Sequence, residues 1–372
     1  LSLNASGSNL IYGNVTLSSG MTLTGGGVAW TFSATSGTQQ ITTAGLTLNT
    51  PITKNNAGTL QLQDNLTMGS TRTFTLTAGT LDLNNRTLST GLFNSSTATV
   101  RSIAFGTGNI TLTGNNATVW TTSSATNLTT SGSRLVQAIY SGSTGTRTIA
   151  FGATTEADGL NLNVTAGTDA IALGSPTGVI KNVDFTGFSG TLNGGARVIY
   201  GNLTVSTGMT LAPSGGAITF AATSGTQLIT TNGKNFDFPL IFNGIGGTFA
   251  FQDALTQGST RTFTITNGTV QLKNGVTSTV GSFVANSTAS KFLQSTTLGS
   301  QATLSQAAST VNVADLTIRD INAVGGASWN AYTDFENTDA GNNDGWNFSL
   351  SPPYSTAELP VTLRPFTQPR RF

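Results

Sequence analysis

The sequence predicts an all-β chain wound as a parallel β-helix, or β-solenoid, closed by an aromatic-rich C-terminal cap and followed by an extended Pro-rich tail. Three observations carry that expectation. The chain repeats itself at two scales, its apolar residues recur as short alternating triplets, and its turns are rich in Gly and Asn while charge is scarce.

Repetition is the strongest of the three. Ile11-Tyr12-Gly13-Asn14 returns as Ile199-Tyr200-Gly201-Asn202, and Ser36-Gly37-Thr38-Gln39 as Ser224-Gly225-Thr226-Gln227, both shifted by 188 residues. Gly69-Ser70-Thr71-Arg72-Thr73-Phe74 returns as Gly258-Ser259-Thr260-Arg261-Thr262-Phe263, shifted by 189. The stretch from about Asn9 to Ala98 is therefore duplicated at about Val198 to Ala289, with one residue inserted on the way. Between those two stretches, Arg101-Ser102-Ile103-Ala104-Phe105-Gly106 matches Arg147-Thr148-Ile149-Ala150-Phe151-Gly152 at a shift of 46. Read as two steps, that shift predicts a coil of about 23 residues, within the range of solenoid repeats.

The triplets agree. Leu46-Thr47-Leu48, Leu60-Gln61-Leu62, Phe74-Thr75-Leu76, Leu81-Asp82-Leu83, Ile110-Thr111-Leu112 and Phe263-Thr264-Ile265 place two apolar side chains on one face and a polar one on the other. Gly and Asn punctuate the gaps as turn chemistry requires. A sandwich of antiparallel hairpins competes on alternation alone. Short strands at a repeating spacing with weak hairpin signatures favour coils.

The predicted organisation is solenoid repeats over 1–324, a cap over 325–348 and an extended docking arm over 349–372. An open solenoid end exposes backbone and core, and Trp329, Tyr332, Phe335, Trp346 and Phe348 supply a natural cover. The arm holds Pro352, Pro353, Pro360, Pro365 and Pro369 and cannot continue a sheet.

Composition narrows the chemistry. Charged residues make up 8% of the chain, against roughly 25% in an ordinary domain. Hydroxyls and amides keep such a surface wet and let like residues stack without repulsion. The net charge of +1 gives no footprint for nucleic acid or an anionic membrane, and no apolar run is long enough to span a bilayer. With no His and no Cys, Ser-His-Asp and Cys-His sites, thiolate sites and His-ligated zinc cannot be built. We therefore expect a non-enzymatic protein. Position 1 is Leu and no basic-then-apolar leader follows it, so we expect a processed chain or a piece of a larger precursor.

The blocks Arg147 to Gly152, Asn182-Val183-Asp184-Phe185-Thr186-Gly187-Phe188-Ser189-Gly190, Ile199 to Thr204 and Gly341-Asn342-Asn343-Asp344-Gly345-Trp346-Asn347-Phe348 resemble repetitive proteins of marine tailed phages. Those are taken as fibre, spike or other virion surface proteins. The likeness is one of repeat texture, extends to Phe348 and carries no functional residue with it. It implies a virion-surface or extracellular location and homo-oligomerisation, a trimer being one form. The Pro-rich arm lies outside the likeness and is read as the segment that docks on other virion proteins, and the polar faces of stacked strands as surfaces able to adhere to host-surface glycan. A secreted or cell-surface bacterial adhesin and a glycan-degrading tailspike are the alternatives.

Candidate sites are few. Asp334, Glu336, Asp339 and Asp344 could together hold calcium, a hard cation that takes carboxylate and turn-carbonyl oxygens, although Asx turns explain the same composition. Glu156 and Asp158, on one strand face about 7 Å apart, would suit an inverting glycosidase; the alternative is a pair of polar residues in a turn before Leu160 that simply face water. The Gln-Asp steps at Asp64 and Asp253 read as a repeated turn. Arg72, Arg101, Arg147 and Arg261 read as solvated strand edges, or as a ladder for an acidic glycan.

Overall fold

The computed structural model describes residues 9–23, 26–174, 178–194, 197–212 and 215–351. The arm thus lies outside the described residues from 352 onward. Every strand ladder is parallel, and the only helical turns among the described residues are two single 3-10 turns, Glu156–Asp158 and Thr333–Phe335. The chain winds about 15 turns, a rod of about 70 Å at ~4.8 Å per coil.

Each coil of the first copy presents three short strands, one per face. Trp30–Phe32, Ile52–Lys54 and Thr73–Leu76 stack on the first face, Thr38–Thr42, Thr59–Leu62 and Gly79–Asp82 on the second, and Thr47–Leu48, Leu66–Met68 and Thr87–Thr90 on the third. Alternation decides which side chains enter. In Thr59–Leu62 the two Leu are buried and Thr59 and Gln61 look outward. Stacked coils bring like beside like, so Phe74, Phe93, Trp120 and Phe151 form a column with centroid spacings of 5.8, 4.4 and 5.9 Å. The second copy builds its own column from Phe220, Phe242, Phe263, Phe283 and Trp329. Each such ring contributes about 1.5–3 kcal/mol by leaving water.

Coil length is set by the corners, not by the strands. Register partners are 22 residues apart from Trp30 to Ile52 and from Ile52 to Phe74, but 27 from Phe93 to Trp120, 29 from Trp120 to Ile149 and 17 from Trp329 to Trp346. Where corners are tight, glycine is required. Gly79 and its counterpart Gly268 have φ of +75° and +84°, and a Cβ there would lie 2.3 Å from the Asn56 carbonyl oxygen or 2.4 Å from that of Gly244.

The 46-residue repeat is not two coils. Arg101–Ala104 lies on the second face, between Gly79–Asp82 and Leu128–Ser131, whereas Thr146–Phe151 lies on the first, between Ala117–Thr122 and Ala170–Gly174. Because the corners here are long, 46 residues cover one coil and two faces. The 188-residue repeat also changes face. Eight steps along the first face lead from Asn9–Ile11 to Thr191–Asn193, and Arg197–Ile199, the counterpart of Asn9–Ile11, stands on the next face. There it pairs with Val179–Asp184 and Ile218–Phe220. Leu162, Val183, Leu203 and Ile229 then run in register, so the third face of the first copy continues as the second face of the second copy. The second copy is rotated by one face about the rod axis.

The duplication also runs further than sequence identity shows. Arg101 stacks on Gly79 as Lys291 stacks on Gly268. Both copies then reach a 3-10 turn after a first-face-type strand, Thr146–Phe151 in one and Ser328–Asn330 in the other. The aromatic segment 325–348 continues the winding of the same coil and is its last turn among the described residues. Ser328–Asn330 pairs with Thr310–Asn312 on one side and Trp346–Asn347 on the other, and Trp329 sits 5.9 Å from Phe283 and 5.0 Å from Trp346.

Candidate functional site

The arginines expected at solvated edges divide into two kinds. Arg72 and Arg261 stay near the surface, where Arg72 Nε donates to Asn49 Oδ1 and Arg261 Nε to Asp237 Oδ1. Arg101 and Arg147 are buried, at 1% and 0% exposure, which overturns both the edge reading and the glycan ladder for this pair. Period two explains the outcome. In Arg-x-Ile-x-Phe the Arg is in phase with Ile and Phe and must share their face.

Arg101, Lys291 and Lys54 bend their heads toward coil corners and donate to turn carbonyls. Arg101 donates to the carbonyl oxygens of Ser95, Thr99, Ser124 and Thr126 and to Ser95 Oγ. Lys291 donates to those of Ser287 and Ala289 at 2.7 and 3.0 Å, and Lys54 to those of Asn55 and Asn56 at 2.5 and 2.8 Å. Arg147 is held differently, in a two-bond pair with Asp169 at 2.8 Å for each bond and with the rings of Tyr140 and Phe188 at 5.6 and 5.7 Å. Arg101 and the Arg147–Asp169 pair thereby fasten adjacent coils, whereas Lys54 closes its own corner and Lys291 reaches the next coil only through the Asp315 carbonyl at 3.5 Å.

Burial pushes the Lys54 ammonium down from its ordinary 10.5 to about 8, and lowers that of Lys291 as well. Between those two values the unfolded chain carries a Lys54 proton that the folded chain has released. Stability should therefore rise with pH across this window and be lower below it, where the charge is buried. The second copy places the buried Phe242 at the equivalent position, which shows that the coil accommodates an apolar side chain there. Lys54→Met is expected to flatten the rise between about pH 8 and pH 10, read as the difference in urea midpoint between variant and parent.

Glu156 and Asp158 do not share a strand face. They sit on the 3-10 turn Glu156–Asp158, capped by Thr155. Asp158 accepts from Thr155 Oγ1 at 2.8 Å and from the Thr130 amide at 3.3 Å, while Glu156 Oε2 accepts from the hydroxyl and amide of Thr223 at 2.8 and 3.3 Å. One carboxylate caps its own turn; the other ties the turn to the second copy. Asp64 and Asp253 act as the repeat implies, accepting from the amides of Thr43 and Ala44 and of Thr231 and Asn232. Asn14 and Asn202 likewise accept from the amides of Gln40 and Leu228, each at 2.8 Å.

The acidic C-terminal loop is spread along the end of the rod. Asp334 accepts from the amide and hydroxyl of Ser351, which holds its carboxyl below the usual carboxylate range. Asp339 accepts from the Gly341 amide and Asn343 Nδ2, Asp344 accepts from Gln301 Nε2, and Glu336 ends its turn in the left-handed conformation. Among the described residues no three acidic side chains converge on one point.

What the rod offers outward is a set of polar files made mostly of hydroxyls and amides. Thr38, Thr59, Thr80, Ser102 and Thr129 align in register down the second face, with Gln40, Gln61 and Asp82 beside them. Side chains bond along the file, Thr80 to Ser102 and Gln61 Nε2 to Asp82 Oδ2, each at 2.8 Å. No helix among the described residues is long and apolar enough to cross a membrane. No protein-family model, curated protein or solved structure matches this chain.

Proposed function

We propose that this chain is a structural rod of a phage virion, as fibre, spike or surface decoration, and that its polar files contribute to adhesion on host-surface glycan. The fold suits fibre, spike, adhesin and tailspike roles alike. The observation that carries the structural reading is the continuity of the core. In-register ladders run from Asn9 to Asn347 through both copies, with Arg101 and the Arg147–Asp169 pair fastening coil to coil. A rod so built transmits force and sets distance. Support for the virion itself is the likeness of repeat texture to phage proteins.

Detection of the chain by mass spectrometry of purified virions, with labelled antibody placing it on the particle surface, is the expected result; its absence there would move the rod to a bacterial adhesin. Deleting residues 352–372 should abolish incorporation while leaving the β-rich circular dichroism intact. Glu156→Gln with Asp158→Asn is expected to leave any turnover of host polysaccharide unchanged, because both carboxylates serve the turn. A loss of depolymerisation in that variant would instead make the chain a tailspike enzyme.

A further inference from the structure

The same face is built twice in this chain, with a difference that the fold does not require. On the second face of the first copy the outward file is Thr38, Thr59, Thr80, Ser102 and Thr129. Its counterpart in the second copy is Thr226, Thr248, Thr269, Phe292 and Thr317. Four of these five positions are Thr in both copies. The fifth exchanges a hydroxyl for a phenyl ring, which Lys291–Ser295 turns outward at 42% exposure. The neighbouring file changes in the same direction, from Gln40 and Gln61 to Leu228 and Ala250. Inward positions stay apolar throughout, as Leu60 and Phe249, Leu81 and Val270, and Ile103 and Leu293 show.

The exchange removes bonds that the first copy makes along its files. There Thr80 bonds Ser102 and Gln61 bonds Asp82, each at 2.8 Å, whereas Phe292 beside Thr269 and Ala250 beside Gln271 can form neither pair. An outward ring also forgoes much of the burial energy that an inward one gains. Charge changes sign as well. Asp82 gives way to Gln271, and Ser131 to Arg319, whose side chain is 40% exposed. Arg319 Nη2 donates to Gln294 Oε1 at 3.0 Å, which holds the guanidinium beside the strand of Phe292. One strand spacing and two residues put the two positions about 8 Å apart. Asp320 Oδ2 lies 3.9 Å from Arg319 Nε, but that carboxylate is 3% exposed and already accepts from the Gly299 amide and Asn342.

The patch is no rod end, because Thr262–Leu272 and Leu316–Arg319 pair with its strand on either side. Its apolar area is one ring, with Leu228 standing three coils away, far short of the roughly 800 Å² per partner that a stable protein interface buries. A single ring bordered by amides, hydroxyls and one cation fits a sugar instead. A pyranose presents an apolar C–H face and an edge of hydroxyls, and in acidic glycans a carboxylate that suits the guanidinium fork.

We propose that this face of the second copy binds an acidic glycan. One pyranose ring lies on Phe292, its hydroxyls meet Gln271, Gln294 and the flanking Thr269 and Thr317, and its carboxylate pairs with Arg319. The proposal rests on the adhesion reading above and gives it a place on the rod and a class of sugar.

Electrophoresis of the full chain through gels containing polygalacturonate, with neutral dextran as control, tests this. Retardation by polygalacturonate alone is expected, and Phe292→Ser and Arg319→Ser should each raise the apparent Kd at least tenfold. Both variants install the first copy's own residue, and unchanged circular dichroism would confirm that the coils persist. No retardation, equal retardation by dextran, or retardation that Phe292→Ser leaves unchanged overturns the proposal. Self-association that Phe292→Ser abolishes, without retardation, would overturn it in favour of a second copy of this chain. Host polysaccharide in the same gels decides the adhesion reading separately. Binding there that persists in both variants leaves adhesion standing without this site, and no binding by the parent chain removes adhesion whatever polygalacturonate shows.

Discussion

Asp169→Ala is expected to destabilise the rod by about 3–5 kcal/mol, the usual consequence of leaving one member of a buried ion pair alone. Both side chains of the Arg147–Asp169 pair are at 0% exposure. Removing the carboxylate strands a guanidinium among Tyr140, Phe188 and the Ala166 carbonyl, which cannot neutralise it. Arg cannot shed its proton to escape, so the whole desolvation cost appears in stability. Replacing both partners, as in Arg147→Met with Asp169→Leu, should recover most of the loss. The effect should be local because neighbouring coils contribute separately in a solenoid. Hydrogen exchange is therefore the suitable readout, with faster exchange in Thr146–Phe151 and Ala170–Gly174 and little change in the second copy's Leu316–Arg319. Uniform acceleration along the chain would show that the rod unfolds as one unit instead.

Trp120→Ala should cost a similar amount, about 3–5 kcal/mol, through a cavity rather than a charge. Trp120 is fully buried, stacks at 4.4 Å on Phe93 and lies 5.9 Å from Phe151. Its indole nitrogen donates to Thr122 Oγ1 at 3.1 Å, so truncation also deprives a buried hydroxyl of its donor. The ladder fixes the backbone of Ala117–Thr122 between Leu92–Asn94 and Thr146–Phe151, which limits collapse into the gap. Trp120→Phe keeps most of the stack and should lose about half as much or less. Urea unfolding followed by circular dichroism would separate the two variants, and equal losses would show that the hydrogen bond, not the ring volume, holds the site.

Most of the architecture was legible because one rule, alternation, governs both strand formation and burial. The triplets around Leu60-Gln61-Leu62 and Phe74-Thr75-Leu76 name strand, inward side and outward side together. The same rule, applied to Arg101 and Arg147, gives their burial, and Lys54, Arg197 and Lys291 share the phase of their inward neighbours. The edge reading failed by weighing charge above phase. What alternation could not give is the path between strands. Corner lengths vary, so a shift of 46 or 188 residues does not say how many faces have been passed. For Glu156 the turn before Leu160 was legible as the alternative to a shared strand face, but its distant partner was not. A corner turn precedes Leu160 where an earlier coil has the strand Leu128–Ser131, and only the stacked structure shows Thr223 waiting for its carboxylate.

The one-face rotation between the copies gives the repeat a second output besides length. A unit that advanced by whole coils would work as a plain spacer, and adding one would move everything beyond it outward without turning it. Here each added unit would both extend the shaft and swing whatever follows to the next side, and only a third unit would restore the original heading. The 188-residue module is therefore a threaded spacer, in which reach and aim are set by the same count.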